Sequence, residues 1–104
     1  NNKMIARIWN GKTLLEHKEA YIDFMKSRAL PDYQSTEGFV KLEFLCQTKV
    51  GVAYFKLITF WENLEVIKDF AGEDYEKAKY YPEDDDFLLD FPEKVAHHEV
   101  FAST

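Results

Sequence analysis

FVKLEFLCQTKVGVAYFKLITFW, residues 39–61, is two runs of strand character around one turn, and its reading decides the fold. From Phe39 to Gln47 apolar and polar residues alternate. Val40, Leu42, Phe44 and Cys46 share one face, and Lys41, Glu43 and Gln47 share the other, as in a half-exposed strand. Cys46, among the apolar members, is expected to be a small core residue. Thr48–Gly51 supplies a hairpin turn, with Gly51 at a positive-φ position. Residues 52–61, dense in aromatic and β-branched side chains, form the returning strand.

Upstream, MIARIW (residues 4–9) reads as a strand with Met4, Ala6 and Ile8 facing one way and Ile5, Arg7 and Trp9 the other. Asn10-Gly11-Lys12 is expected to end it. Thr13-Leu-Leu-Glu16 has capping-box form, so a helix is expected from there to about Ala29, stopped by Pro31. Its buried face carries Leu14, Tyr21, Phe24, Met25 and Ala29, with His17 at the edge. Downstream, Asn63 is a suitable N-cap for a short helix through Phe70 that Gly72 closes, and Asp74 can cap a turn over Tyr75–Lys79. Residues 94–102 form a last strand. Its one face carries Val95, His97, Glu99 and Phe101; the other carries Ala96, His98, Val100 and Ala102.

The order is βαββαβ, an α+β, ferredoxin-like plan in which a four-stranded antiparallel sheet carries helices on one face. The opposite face, expected to hold Trp9, Ile58, Phe60 and Phe101, then needs a cover. Two sheets packed face to face supply it, so a homodimer is expected.

The chain has 104 residues, the size of one domain spanning 1–104, with 46% hydrophobic and 16% aromatic residues. The net charge of −6 divides as +2 over residues 1–51 and −8 over 52–104. No basic stripe exists to meet phosphates, which argues against nucleic acid. One cysteine excludes an intrachain disulfide or a Cys-based zinc site. With no apolar run near the ~20 residues of a membrane span and no signal-peptide pattern, a soluble cytoplasmic protein is expected.

KAKYYPEDDDFLLDF, residues 77–91, runs two tyrosines into Pro82 and four acids. Pro82 suits the first position of a helix, and Glu83, Asp84 and Asp85 suit its first turn, near the positive end of the dipole. The acids are read as a solvated helix start. Consecutive acids splay about 100° apart on a helix and do not converge on a metal. Phe87, Leu88 and Phe91 give this helix an apolar side, and at least one of Tyr80 and Tyr81 is expected to pack inward beside the sheet, with a hydroxyl able to donate to an anionic oxygen. His97 and His98, adjacent on a strand, point to opposite faces and cannot chelate one ion within a subunit.

MIARIW, the aromatic strand ending TFWENLEVIKDFAG, KAKYYPEDDDFLL and HHEVF together resemble the antibiotic biosynthesis monooxygenase family over essentially the whole chain. The resemblance implies a dimeric α+β barrel and oxidation of electron-rich hydroxylated aromatics, such as phenols and anthrones, by O2 without metal, flavin or other cofactor. It places a cavity between the sheet and its own helices. The wall expected here is Ala6, Phe55, Leu57, Trp61 and His98, with Tyr21, Phe24 and Phe70 from the helices and Tyr80 beside them. In that reading His98 is the base, and Tyr81 and the indole N–H of Trp61 are donors to the substrate anion. The sequence departs from the family's pattern. Leu57 stands where the quinone-forming members carry Asn, and Ile67 where they carry Tyr. Ala6 stands where the heme-cleaving members carry Asn, and their iron-ligating histidine falls near Tyr80 or Tyr81, so heme degradation is disfavoured. The alternative is a non-catalytic, small-molecule-binding or regulatory protein on the same dimeric scaffold.

Overall fold

The computed structural model describes residues 3–104. Strands β1 (Ile5–Leu14), β2 (Phe39–Lys49), β3 (Val52–Trp61) and β4 (Ala96–Glu99) form one antiparallel sheet in the order β2-β3-β1-β4. This is the ferredoxin-like α+β arrangement expected from the sequence. A turn at Leu15–His17 leads into α1 (Lys18–Phe24), which continues through a π-helical turn, Met25–Ala29, into α2 (Leu30–Gln34). Helix α3 (Leu64–Ala71) starts where expected, with Asn63 Oδ1 accepting from Val66 N at 3.1 Å, and Gly72 follows it. A 3-10 turn occupies Pro82–Asp86. No described helix is long and apolar enough to cross a membrane.

The β2–β3 hairpin closes through Val50 and Gly51, both at positive φ (46° and 77°), the conformation of a tight type I′ turn. Gly51 plays its expected part, whereas Val50 holds a conformation that a β-branched residue rarely adopts.

Several local expectations are corrected. Strand β1 runs through Asn10-Gly11-Lys12 to Leu14 instead of ending there. Gly11 is not a turn residue: a Cβ placed on it would lie 2.2 Å from the Trp9 ring, so the six-membered ring of the indole occupies the space a side chain would need. Gly11→Ala is therefore expected to destabilise the protein by about 1–3 kcal/mol, read from urea denaturation. A midpoint equal to that of the wild type would refute this seating of Trp9. The capping box does not form, because Thr13 lies inside β1 and its hydroxyl donates to Leu14 O. Pro31 does not stop the helix. It follows the π turn, whose wider winding makes room for a ring that would otherwise meet the carbonyl four residues back.

Paired residues of an antiparallel sheet share a face. Arg7, Trp9 and Gly11 pair with Thr59, Leu57 and Phe55, so all six face the helices. Trp9 is thus in the core with Tyr21, Met25, Ala29, Ala53, Phe55, Leu57 and Leu88, not on the open face. The open face carries Ile8, Ile58 and Phe60, half-buried, with Leu45 and Tyr54 exposed. Strand β4 stops at Glu99, leaving Phe101 beyond the sheet and 96% exposed. Cys46 is on the helical side but exposed, not the core residue expected.

Candidate functional site

Between the helical layer and the sheet lies a cavity of about 30 Å³, lined by Arg7 and Trp9 of β1, Leu57 of β3, Tyr21, Met25 and Tyr33 of the helix, and Lys79, Tyr80, Tyr81, Asp84 and Val95. Its volume matches one water molecule. An apolar pocket of about 170 Å³ lies alongside, between the π turn and β2, lined chiefly by Met25, Ala29, Leu30, Leu42 and Phe44. Met25, Tyr33 and Leu57 line both and form the partition between them. Met25 belongs to the π turn, a feature frequent at functional sites, and its unbranched side chain repacks easily.

Asp84 is the notable polar group. It is the third residue of the Pro82–Asp86 turn, where its Oδ2 accepts from Tyr81 N at 2.7 Å. It is 3% exposed, and its Oδ1 has no hydrogen-bond partner. The expectation of a solvated acidic helix start therefore holds for its neighbours but fails for Asp84. Burial pushes its pKa above the ordinary carboxylate value; the Tyr81 N–H and the neighbouring Tyr21 hydroxyl oppose this, and Glu83 and Asp85 add to it. The buried phenol of Tyr21 is raised first by burial and then by the Asp84 charge. Tyr33 is pushed up to about 12, chiefly by burial, with Arg7 acting the other way.

Arg7 is 4% exposed and rests on neutral acceptors. Its guanidinium donates to the carbonyls of Tyr75 and Lys77 and to His97 Nε2 at 3.0 Å. The last bond requires a neutral imidazole, and the His97 pKa is indeed lowered, first by burial and then by Arg7; Glu76 pulls upward, and His98 adds to the lowering. A depressed pKa contributes stability that is present above the unfolded value of 6.5 and is lost as pH falls through the folded one. Thermal melts are expected to show the protein weakening below pH 6.5, and His97→Gln is expected to flatten that limb. An unchanged slope in the variant would remove His97 as its cause.

The expected site residues divide. Tyr21, Leu57, Tyr80 and Tyr81 meet at the cavity. Phe24 packs behind it, with ring centroids 6.1 Å from both Tyr21 and Tyr81. Phe55 borders the next apolar pocket, of about 130 Å³, with Ile22, Lys26 and Phe44. Trp61 and Phe70 stand apart, tilted against each other with centroids 5.0 Å apart, within an aromatic group that includes Tyr33 and Phe39. The expected donors have internal partners. Trp61 Nε1 donates to Thr59 Oγ1 at 2.8 Å, the Tyr81 hydroxyl to Asp32 Oδ2 at 2.7 Å, and the Tyr80 hydroxyl to Pro92 O while accepting from Trp9 Nε1.

His98 is misplaced in the sequence reading. It pairs with Ala6, which pairs with Phe60, so His98 and Ala6 lie on the open face, away from the cavity. His97 takes the helical side. The residues that sequence reasoning missed are Arg7, Asp84, Tyr33 and Met25. The only signal for Asp84 was its place three residues after Tyr81 at a helix start. Among the described residues no group of three or more His, Cys, Asp or Glu is placed to hold a metal ion.

No protein-family model and no curated protein matches the sequence. Solved structures share its fold over nearly the full length of both chains. A protein of Nitrosomonas europaea, provisionally named an antibiotic biosynthesis monooxygenase, is 12% identical with a TM-score of 0.70, covering 100% of this chain and 96% of its own. One from Bacillus cereus, provisionally given the same name, is 16% identical with a TM-score of 0.66, covering 98% and 97%. The heme-degrading protein of Mycobacterium tuberculosis, heme-free, is 15% identical with a TM-score of 0.63, covering 100% and 98%. At these identities the likeness establishes the fold.

Proposed function

We propose that the cleft binds a flat, electron-rich hydroxylated aromatic and oxidises it with O2, as a cofactor-independent monooxygenase in which Asp84, not His98, is the base. The observation that carries this reading is a carboxylate 3% exposed at the cavity whose Oδ1 makes no close hydrogen bond and has the Tyr21 hydroxyl as its polar neighbour. A carboxylate with a raised pKa is a stronger base than an ordinary one, and the surrounding apolar wall suits a ring system. Displacement of Met25 joins the small cavity to the apolar pocket and makes room for the rings.

For an anthrone-like substrate, Asp84 takes a proton from the ring carbon, and the resulting anion passes one electron to O2. The carbon radical and superoxide combine into a carbon-bound peroxide, which Asp84 reprotonates. Loss of the second C–H proton with hydroxide expels water and leaves a quinone carbonyl, so one O2 yields one carbonyl and one water.

The experiment is oxygen uptake by metal-free protein against a panel of anthrones and naphthols. Uptake with one quinone formed per O2 supports the reading, and binding without uptake overturns it. The latter outcome supports the second reading, a non-catalytic small-molecule-binding or regulatory protein. What favours that reading is that the Trp61, Tyr80 and Tyr81 donors have internal partners. Heme cleavage remains disfavoured, since no histidine lines the cavity.

The same reading includes a homodimer through the open sheet face, where Ile8, Ile58 and Phe60 form an apolar centre flanked by Leu45 and Tyr54. Phe60→Glu places a charge at that centre. It is expected to give a folded monomer in sedimentation, whereas a dimer unchanged by the substitution would exclude this face.

A further inference from the structure

We propose that the aromatic ligand of this cleft carries a carboxylate, and that Arg7 is the residue that receives it. The inference rests on the cleft's being the ligand site and adds the chemical class of what enters it.

A guanidinium taken out of water without a counter-ion is strongly disfavoured, and buried arginines ordinarily meet a carboxylate. Arg7, 4% exposed, has no salt bridge to any described acid. Its recorded partners, Tyr75 O, Lys77 O and His97 Nε2, are neutral: they fix its direction and leave its charge uncompensated. They engage three of the five N–H donors that a guanidinium offers. A carboxylate accepts two parallel N–H bonds from such a fork.

The surroundings agree with an anionic head on an apolar body. Arg7 lines the small cavity, at whose rim stands Lys79, 3.5 Å from Asp32. Across the partition of Met25, Tyr33 and Leu57 the larger pocket is almost wholly apolar. Asp84 also faces the cavity, and it resists ionisation because it is buried. A carboxylate entering the site is therefore directed to Arg7. Once bound, it makes Asp84 a stronger base by like-charge repulsion.

The test is equilibrium titration of three probes of one shape, 2-naphthoate, 2-naphthamide and 2-naphthol, by isothermal calorimetry at low and high salt. The wild type is expected to bind 2-naphthoate about tenfold or more tighter than 2-naphthamide, the preference a charge-assisted pair supplies. The preference is expected to survive high salt, which screens exposed lysines but not a buried pair. Arg7→Lys is expected to retain part of it and Arg7→Gln to erase it. Should Arg7→Gln fail to fold, the wild-type ratio and its salt response still decide. Equal binding of the naphthoate and the naphthamide, with 2-naphthol bound, overturns the role of Arg7 and leaves the cleft as ligand site. A preference abolished by salt overturns it too. Failure of all three probes to bind overturns both.

Discussion

Asp84→Asn is expected to lower the rate of oxygen uptake by about 10²–10⁴-fold, the contribution typical of a positioned general base. The amide keeps the shape of the side chain, and its oxygen can still accept from Tyr81 N, so the turn at Pro82–Asp86 is retained. Stability is expected to move the opposite way. The folded pKa of Asp84 is raised above 3.8, so its contribution to folding is fully favourable below 3.8 and is lost as pH rises through the folded value. Well above 3.8 the buried acid opposes folding, and the amide relieves this by about 1 kcal/mol. Thermal denaturation at neutral pH is expected to show a higher Tm for the variant, with the gap narrowing in acid. A variant that keeps full oxygen uptake removes Asp84 from the chemistry whatever its Tm.

Trp61→Ala is expected to remove about 3–5 kcal/mol of stability, a large part of the roughly 5–15 kcal/mol available to a domain of this size. The ring is fully buried, packed at 5.0 Å on Phe70 and 5.4 Å on Phe39. Its N–H satisfies Thr59 Oγ1, which in turn donates to Arg7 O at 3.3 Å. Truncation leaves a cavity and weakens a buried chain of hydrogen bonds at once. Trp61→Phe keeps most of the volume and is expected to lower the urea midpoint by less, with KM unchanged, because the indole N–H has no free hydrogen for a ligand. A raised KM with normal stability would instead return Trp61 to the ligand site.

The hairpin, the helix after Asn63 and the topology were legible because each is written in local chemistry: alternation in β2 from Lys41 onward, past a register shift that puts Phe39 and not Val40 opposite Trp61, a positive-φ turn at Gly51, an N-cap at Asn63. The faces of β1 were not. Met4, Ala6 and Ile8 are apolar, and Ile5, Arg7 and Trp9 include a cation, so hydropathy turned Arg7 outward. In the folded chain neutral carbonyls from residues 75 and 77 receive that cation, and Gly11 provides the space over which Trp9 lies. Both depend on residues distant in sequence or on a glycine that looks like a turn. Once β1 is set, the register fixes β4, and His97 and His98 exchange the sides expected of them. Asp84 was hidden for a similar reason. In a run of four acids only tertiary packing distinguishes the one that is buried from those that are solvated.

The most direct measurement is a crystal structure of the protein with saturating 2-naphthol. The ring system is expected between Met25, Tyr33 and Leu57, with Met25 displaced and the hydroxyl within hydrogen-bond distance of Asp84 Oδ1. A ligand seated elsewhere, or a cleft still closed around its 30 Å³ with no ligand inside, would contradict the assignment of this cleft as the functional site.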